Sequence, residues 1–150
     1  MALPTHPYSG SCLCGAVQVS VSARPLLTLA CHCRDCQKLS ASAYTLTTMF
    51  PKDSFSLTGE VFNGGRGSRG RRHYFCKSCL NFICSEIDGT HQRINLRTSI
   101  LDDAALFEPF VELMTDEKIP WAYVPATHSF SRFPATLEEL QKLFDGYAEL

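Results

Sequence analysis

The chain has 150 residues, 45% apolar and 19% charged, and its 14 basic and 15 acidic side chains leave a formal charge of −1. A domain of this size hides roughly 68–70% of its unfolded surface, so it builds a core without covalent staples. Near-neutral charge argues against a nucleic-acid protein that works by neutralising phosphates over its whole surface. Eight cysteines therefore need a cause other than small size. No apolar run approaches 18 residues, so no helical membrane span and no membrane partner are expected. The stretch from Met1 to Tyr8 has neither the basic nor the apolar region of a secretory signal. The expected compartment is cytoplasmic and reducing, where thiols stay free or bind metal.

No repeat and no Pro/Ser-rich linker divides the chain, so one domain over residues 1–150 is expected. Val17, Val19 and Val21 alternate with Gln18, Ser20 and Ser22, the period of a half-buried strand. Further strands are expected over Leu27 to Cys33, Ala43 to Phe50, Phe55 to Thr58 and Val61-Phe62. His73 to Cys76, Phe82 to Ile87, Arg93 to Thr98 and Phe110 to Met114 continue the series. Short strands at this spacing predict a mainly β fold with antiparallel sheets. Helical turns are expected at Arg34 to Ser40 and Leu101 to Phe107. A short C-terminal helix follows Pro134-Ala135-Thr136, because Leu137, Leu140, Leu143, Phe144 and Tyr147 recur at helical spacing. Thr136 with Glu139 three residues on reads as a capping box.

The cysteines fall as Cys12-x-Cys14, Cys31-x-Cys33-x-x-Cys36, Cys76-x-x-Cys79 and a separate Cys84. Residues i and i+2 of a strand share a face, and a C-x-x-C turn brings two sulfurs to one ion. Cysteines one residue apart are badly placed to bridge each other, because disulfide geometry is narrow. Zinc suits such a set: it takes thiolates at about 2.3 Å and prefers four tetrahedral ligands. Cys12, Cys14, Cys76 and Cys79 would close one structural site. Cys31, Cys33 and Cys36 would leave a second site with three local ligands and an open position, as in catalytic zinc. Three thiolates blunt the ion's Lewis acidity, so a substrate sulfur is the expected fourth ligand. Two zinc ions per chain are thus expected. The competing reading is a zinc-stabilised binding module without chemistry, its second tetrahedron completed by Cys84, His32, Asp35 or His73. Cys84 by itself reads as a buried thiol in a strand. Neither C-x-x-C is followed by His, which excludes haem attachment.

Between Asn63 and Arg72 lie Gly64, Gly65, Gly67 and Gly70 among Arg66, Arg69, Arg71 and Arg72. The formal G-x-G-x-x-G is not a dinucleotide fingerprint, since a strand and not a helix follows it. Two readings remain: a solvated hairpin loop, or guanidinium groups, Arg71 and Arg72 in particular, that hold the carboxylates of an anionic substrate.

The blocks Gly10-Ser11-Cys12-Leu13-Cys14-Gly15, Cys31-His32-Cys33-Arg34-Asp35-Cys36 and Arg72-His73-Tyr74-Phe75-Cys76-Lys77-Ser78-Cys79, with Leu96-Arg97 and Pro120-Trp121, resemble the glutathione-dependent formaldehyde-activating enzyme family, also called the GFA or CENP-V domain. The resemblance spans about residues 9–134. It implies a β-tent fold and two zinc ions, a structural one on Cys12, Cys14, Cys76 and Cys79 and a catalytic one on Cys31, Cys33 and Cys36. It also implies a carbon–sulfur lyase type of reaction, as in S-(hydroxymethyl)glutathione synthase, with a small thiol such as glutathione as partner; a homodimer stays open. Two positions depart from the family pattern: Leu80 stands where the family has Gly, and Ala41 where it often does. Gly supplies positive φ at little cost, so Leu80 implies either strain or a different turn.

Overall fold

A computed structural model describes residues 3, 5–64, 70–90 and 92–150. Strands β1 (Tyr8–Ser11), β2 (Gln18–Val21) and β5 (Phe55–Thr58) form a three-stranded antiparallel sheet in the order β1-β2-β5. The valine alternation lies in and just before β2, where Val17, Val19 and Val21 are buried and the residues between them are exposed.

The larger sheet contains β3 (Leu27–Cys31), β4 (Thr45–Pro51), β6 (Val61–Gly64), β7 (Arg71–Cys76), β8 (Phe82–Ile87), β9 (Arg93–Arg97), β10 (Val111–Leu113) and β11 (His128–Ser129). Their order is β11-β10-β3-β4-β9-β8-β7-β6. The mainly β class expected from the strand spacing is the one observed. Two helices complete it, α1 (Arg34–Ser40) and α2 (Leu137–Ala148).

Several details differ from the sequence expectation. β10 runs parallel to both β3 and β11, so the larger sheet is mixed. β1 was not expected, because Ser9, Gly10 and Ser11 carry no apolar alternation; the strand is held by pairing with β2 and by a bridge from Gly10 to Leu101. A Cβ at Gly10 would lie 2.0 Å from the Ile100 carbonyl oxygen, so only glycine allows this approach. The strand expected through Cys33 stops at Cys31: the His32 N–H turns to the Leu113 carbonyl, and Cys33 starts α1. The helical turn expected over Leu101 to Phe107 is a single 3₁₀ turn at Ala104–Leu106.

The core has two parts. One lies where the small sheet packs on the large one, around Val19, Phe50, Ile83, Ile94, Leu96 and Phe107. The other lies where α2 covers β3 and β10, with Leu29, Val111, Leu143 and Tyr147 buried together. The Tyr147 hydroxyl hydrogen-bonds Thr28 Oγ1 at 2.8 Å, Thr28 bonds Thr48 at 3.1 Å, and Thr48 bonds Thr98 at 2.9 Å. This buried hydroxyl chain satisfies every member, as burial requires, and anchors α2 across β3 and β4. At the start of α2, Thr136 Oγ1 accepts from the Glu139 N–H at 3.2 Å, while the Glu139 carboxylate accepts from the Ala135 N–H. The expected capping box thus forms with its return bond one residue early.

Candidate metal centres

The first cluster joins two parts of the chain. The turn after β1 carries Cys12 and Cys14; its Cys12 N–H donates to the Val17 carbonyl, and Gly15 takes φ +80°. The turn after β7 carries Cys76 and Cys79, and the Leu80 N–H donates to the Cys76 carbonyl at 2.9 Å. Asn81 locks the two together by accepting the Leu13 N–H at 3.0 Å. The four sulfurs lie within 4.8 Å of one another, with Cys12–Cys14 at 3.6 Å and Cys14–Cys76 at 3.8 Å. Tetrahedral zinc with bonds of about 2.3 Å sets its sulfurs about 3.8 Å apart. The donor set fits zinc, and the two short sulfur–sulfur distances match its tetrahedral edge. Burial would raise the Cys12 thiol, but the Val17 N–H and the neighbouring cysteine thiols bring it down to about 6, toward the thiolate that a metal takes.

Leu80 follows this turn at φ 63°, and Ala41 ends α1 at φ 50°. Both residues therefore sit in the left-handed region and accept its strain, the first of the two outcomes expected for Leu80.

The second cluster is local. Cys31 ends β3, Cys33 is the N-cap of α1, and Cys36 lies in its first turn, where its N–H donates to Cys33 Sγ at 3.3 Å. The three sulfurs lie within 4.8 Å of one another. Within the triplet the thiols divide protons unequally: hydrogen bonds from Cys31 and Cys36 hold Cys33 well below the ordinary thiol range, whereas Cys33, Cys36 and burial push Cys31 well above it. A thiolate so placed, with two sulfurs in reach, suits a soft divalent ion.

Among the described residues no fourth His, Cys, Asp or Glu joins the triplet within that distance. His32 Nε2 instead meets the Glu112 carboxylate at 3.0 Å, and that carboxylate also accepts from Lys118 at 2.7 Å and Ser129 at 3.0 Å. His73 Nδ1 bonds Ser85 Oγ at 2.7 Å. Cys84 is buried in β8, which pushes its thiol up to about 12.

The two clusters differ in what adjoins them. Cys31, Cys33 and Cys36 form part of the wall of a cavity of about 400 Å³; the first four cysteines do not line it. Arg71, Arg93, Arg97 and His73 also face this space. Arg71 and Arg72 part company here. Neighbours on a strand point to opposite faces, so Arg71 reaches the cavity while Arg72 pairs with Asp88 at 2.7 Å and Glu86 at 3.1 Å. Arg66 and Arg69 lie outside the described residues.

Leu96-Arg97 enters the sequence reading only as part of a family resemblance, and nothing in the spacing around it marks Arg97 as a site residue. It is buried, with its guanidinium 4.6 Å over the Phe82 ring, one N–H to the Asn95 carbonyl and its Nε without a partner. Burial draws its pKa down, and the charge of Cys36, Cys84 and Cys31 draws it back up. A buried guanidinium on this wall would offset negative charge on the sulfurs of the triplet when they hold an ion.

The sequence matches the family model described as glutathione-dependent formaldehyde-activating enzyme over residues 7–117. No curated protein matches it. Among solved structures it is similar to a Rhodobacter sphaeroides protein, a Northeast Structural Genomics target, at 18% identity and a TM-score of 0.51. That alignment covers 63% of this chain and 87% of the other, and supports the fold alone.

Proposed function

The chain belongs to the glutathione-dependent formaldehyde-activating enzyme family, and from that premise we propose that it is a zinc-dependent carbon–sulfur lyase-type enzyme acting on a thiol or its thiohemiacetal. In this reading Cys12, Cys14, Cys76 and Cys79 hold a structural zinc, and Cys31, Cys33 and Cys36 hold a reactive one. The observation that carries the reading is that the three-sulfur cluster, and not the four-sulfur one, borders a cavity. Zinc at the triplet would supply a soft site that keeps a substrate sulfur as thiolate near neutral pH.

The chain's own residues then have three tasks. The largely apolar cavity wall shields one side of the carbonyl compound and leaves the other open to solvent. Arg97 and His73 offer N–H groups to an oxygen that gains charge. Arg71 is placed to hold an anionic group of the substrate. In the forward direction the thiolate sulfur bonds to the carbonyl carbon, the π pair moves to oxygen, and that oxygen takes a proton from solvent; the reverse releases thiolate and aldehyde.

The test is cobalt substitution. Adding thiol to the cobalt-loaded protein is expected to shift the sulfur-to-cobalt charge-transfer bands, and formaldehyde with thiol to shift them again. Bands indifferent to every thiol, with both metals lost equally slowly to a chelator, would instead assign the chain to a zinc-stabilised binding module.

A further inference from the structure

The cavity beside the triplet is unlike a site for a zwitterionic peptide thiol. Its far side is hydrocarbon: Leu27 and Leu29 from β3, Val111 and Leu113 from β10, and Met49 from β4 line it. Its roof is the segment Phe133 to Leu143, including Leu137, Leu140 and Leu143 of α2. That roof lies beyond residue 117, where the family match ends.

Apart from the sulfurs of the triplet, the charged side chains on the wall are all of one sign. Arg71, Arg93 and Arg97 face the space, and none of the residues described as lining it is acidic. Arg97 is taken up in balancing the triplet, whose three thiolates outweigh a divalent ion by one charge. Arg93 is half-buried, lies 5.6 Å from the Phe144 ring centroid, and makes no ion pair among the described residues. A carboxylate would therefore find partners in Arg71 and Arg93, whereas an ammonium group would find no acidic side chain among the lining residues. The uncharged polar side chains Thr45, Thr47, Ser85 and Asn95 lie on β4, β8 and β9, and peptide amides laid against the leucine wall of β3, β10 and α2 would find no hydrogen-bond partner there.

Resting on the reading that the triplet holds zinc open to a sulfur ligand, we infer that the substrate is an anionic thiol with a hydrocarbon body and no ammonium group, and that α2 is the wall that selects it. Glutathione, with its amine and two peptide links, is a poor occupant of this cavity.

The experiment is calorimetric titration of the zinc-loaded protein with mercaptopropanoate, mercaptohexanoate and mercaptooctanoate, each with its thiol at the end opposite the carboxylate, and with glutathione. Kd is expected to fall about fourfold per added methylene, the factor for burying one CH₂ at about 0.8 kcal/mol, and glutathione to bind more weakly than mercaptooctanoate. Leu140→Asn is expected to weaken mercaptooctanoate about tenfold and leave mercaptopropanoate unchanged. Leu140→Phe, which fills the space without a polar group, is expected to do the same and guards against a folding defect in the first variant. Arg93→Gln is expected to weaken every mercaptocarboxylate and leave mercaptohexanol unaffected. A Kd independent of chain length, or glutathione bound most tightly, overturns the inference. The same ligands on the cobalt-loaded protein separate the two failures: shifted bands with flat affinities defeat only the hydrocarbon selection, and unshifted bands defeat the underlying site.

Discussion

Leu80 is held at φ 63° with its side chain largely in solvent, so it bears the steric cost of the left-handed region with little burial in return. That cost is about 1–2 kcal/mol for a residue with a Cβ, and glycine removes it while adding some unfolded-state entropy. Leu80→Gly is expected to stabilise the protein by about 1 kcal/mol, seen as a rise of about 2–4 °C in melting temperature. Gly10 is the opposite case: a Cβ there would overlap backbone of Ile100. Gly10→Ala is expected to cost about 3 kcal/mol in urea unfolding and, because β1 leads into Cys12, to loosen metal at the first cluster. At this scale the sequence reads well where chemistry is local. The sulfurs within each block meet because their spacing makes them meet, and of strain or a different turn at Leu80 the structure has the strain. Arg97 and the split between Arg71 and Arg72 were unreadable because each depends on strand register and on which sheet face the cavity occupies.

At the scale of elements, β10 shows what sequence periodicity misses. Three residues carry the parallel pairing to β3 and β11, and a parallel partner is chosen by the path of the chain and not by any local pattern. Its Glu112 is buried under Lys118, Ser129 and His32, and so pins the residue between Cys31 and Cys33. Burial would raise this carboxyl, but the bonds from Lys118, Ser129 and His32 hold it below the usual range. A depressed folded-state value means that the stabilisation is full above the unfolded value of about 4.3 and is lost as pH falls through the folded one. Wild-type stability is therefore expected to decline below about pH 4.3, with Glu112→Gln lacking this part of the decline and already about 3 kcal/mol less stable at pH 7. Denaturant titrations of both proteins across pH 3–7 would check this. α2 was readable from its leucine spacing and its cap; Thr136→Ala is expected to cost about 1 kcal/mol in the same assay. What spacing did not reveal is that its leucines roof a cavity as well as filling core.

At the scale of the whole molecule, the two cysteine clusters make different demands on the chain. The first ties the turn after β1 to the turn after β7, closing a loop from Cys14 to Cys76 that contains α1 and six strands, β2 to β7. The second lies within six residues, Cys31 to Cys36, and closes almost nothing. Loop-closure entropy grows with the length enclosed, and binding energy at a site absent from the unfolded chain counts as folding energy, about 10–16 kcal/mol for structural zinc in small peptides. If zinc occupies both, loss of the first site must be felt across the small sheet and its junction with β7, while loss of the second leaves β3, β4 and α2 joined by the Thr28, Thr48 and Tyr147 hydroxyls. Cys76→Ser is accordingly expected to lower the melting temperature by about 6–12 °C, the conversion of a loss of about 3 kcal/mol, and to broaden the unfolding transition. Cys33→Ser is expected to keep the wild-type circular dichroism spectrum and to bind one zinc in place of two by native mass spectrometry. Equal destabilisation by the two substitutions would mean that the triplet, too, serves the fold, and would remove the ground for treating its open side as a place where chemistry occurs.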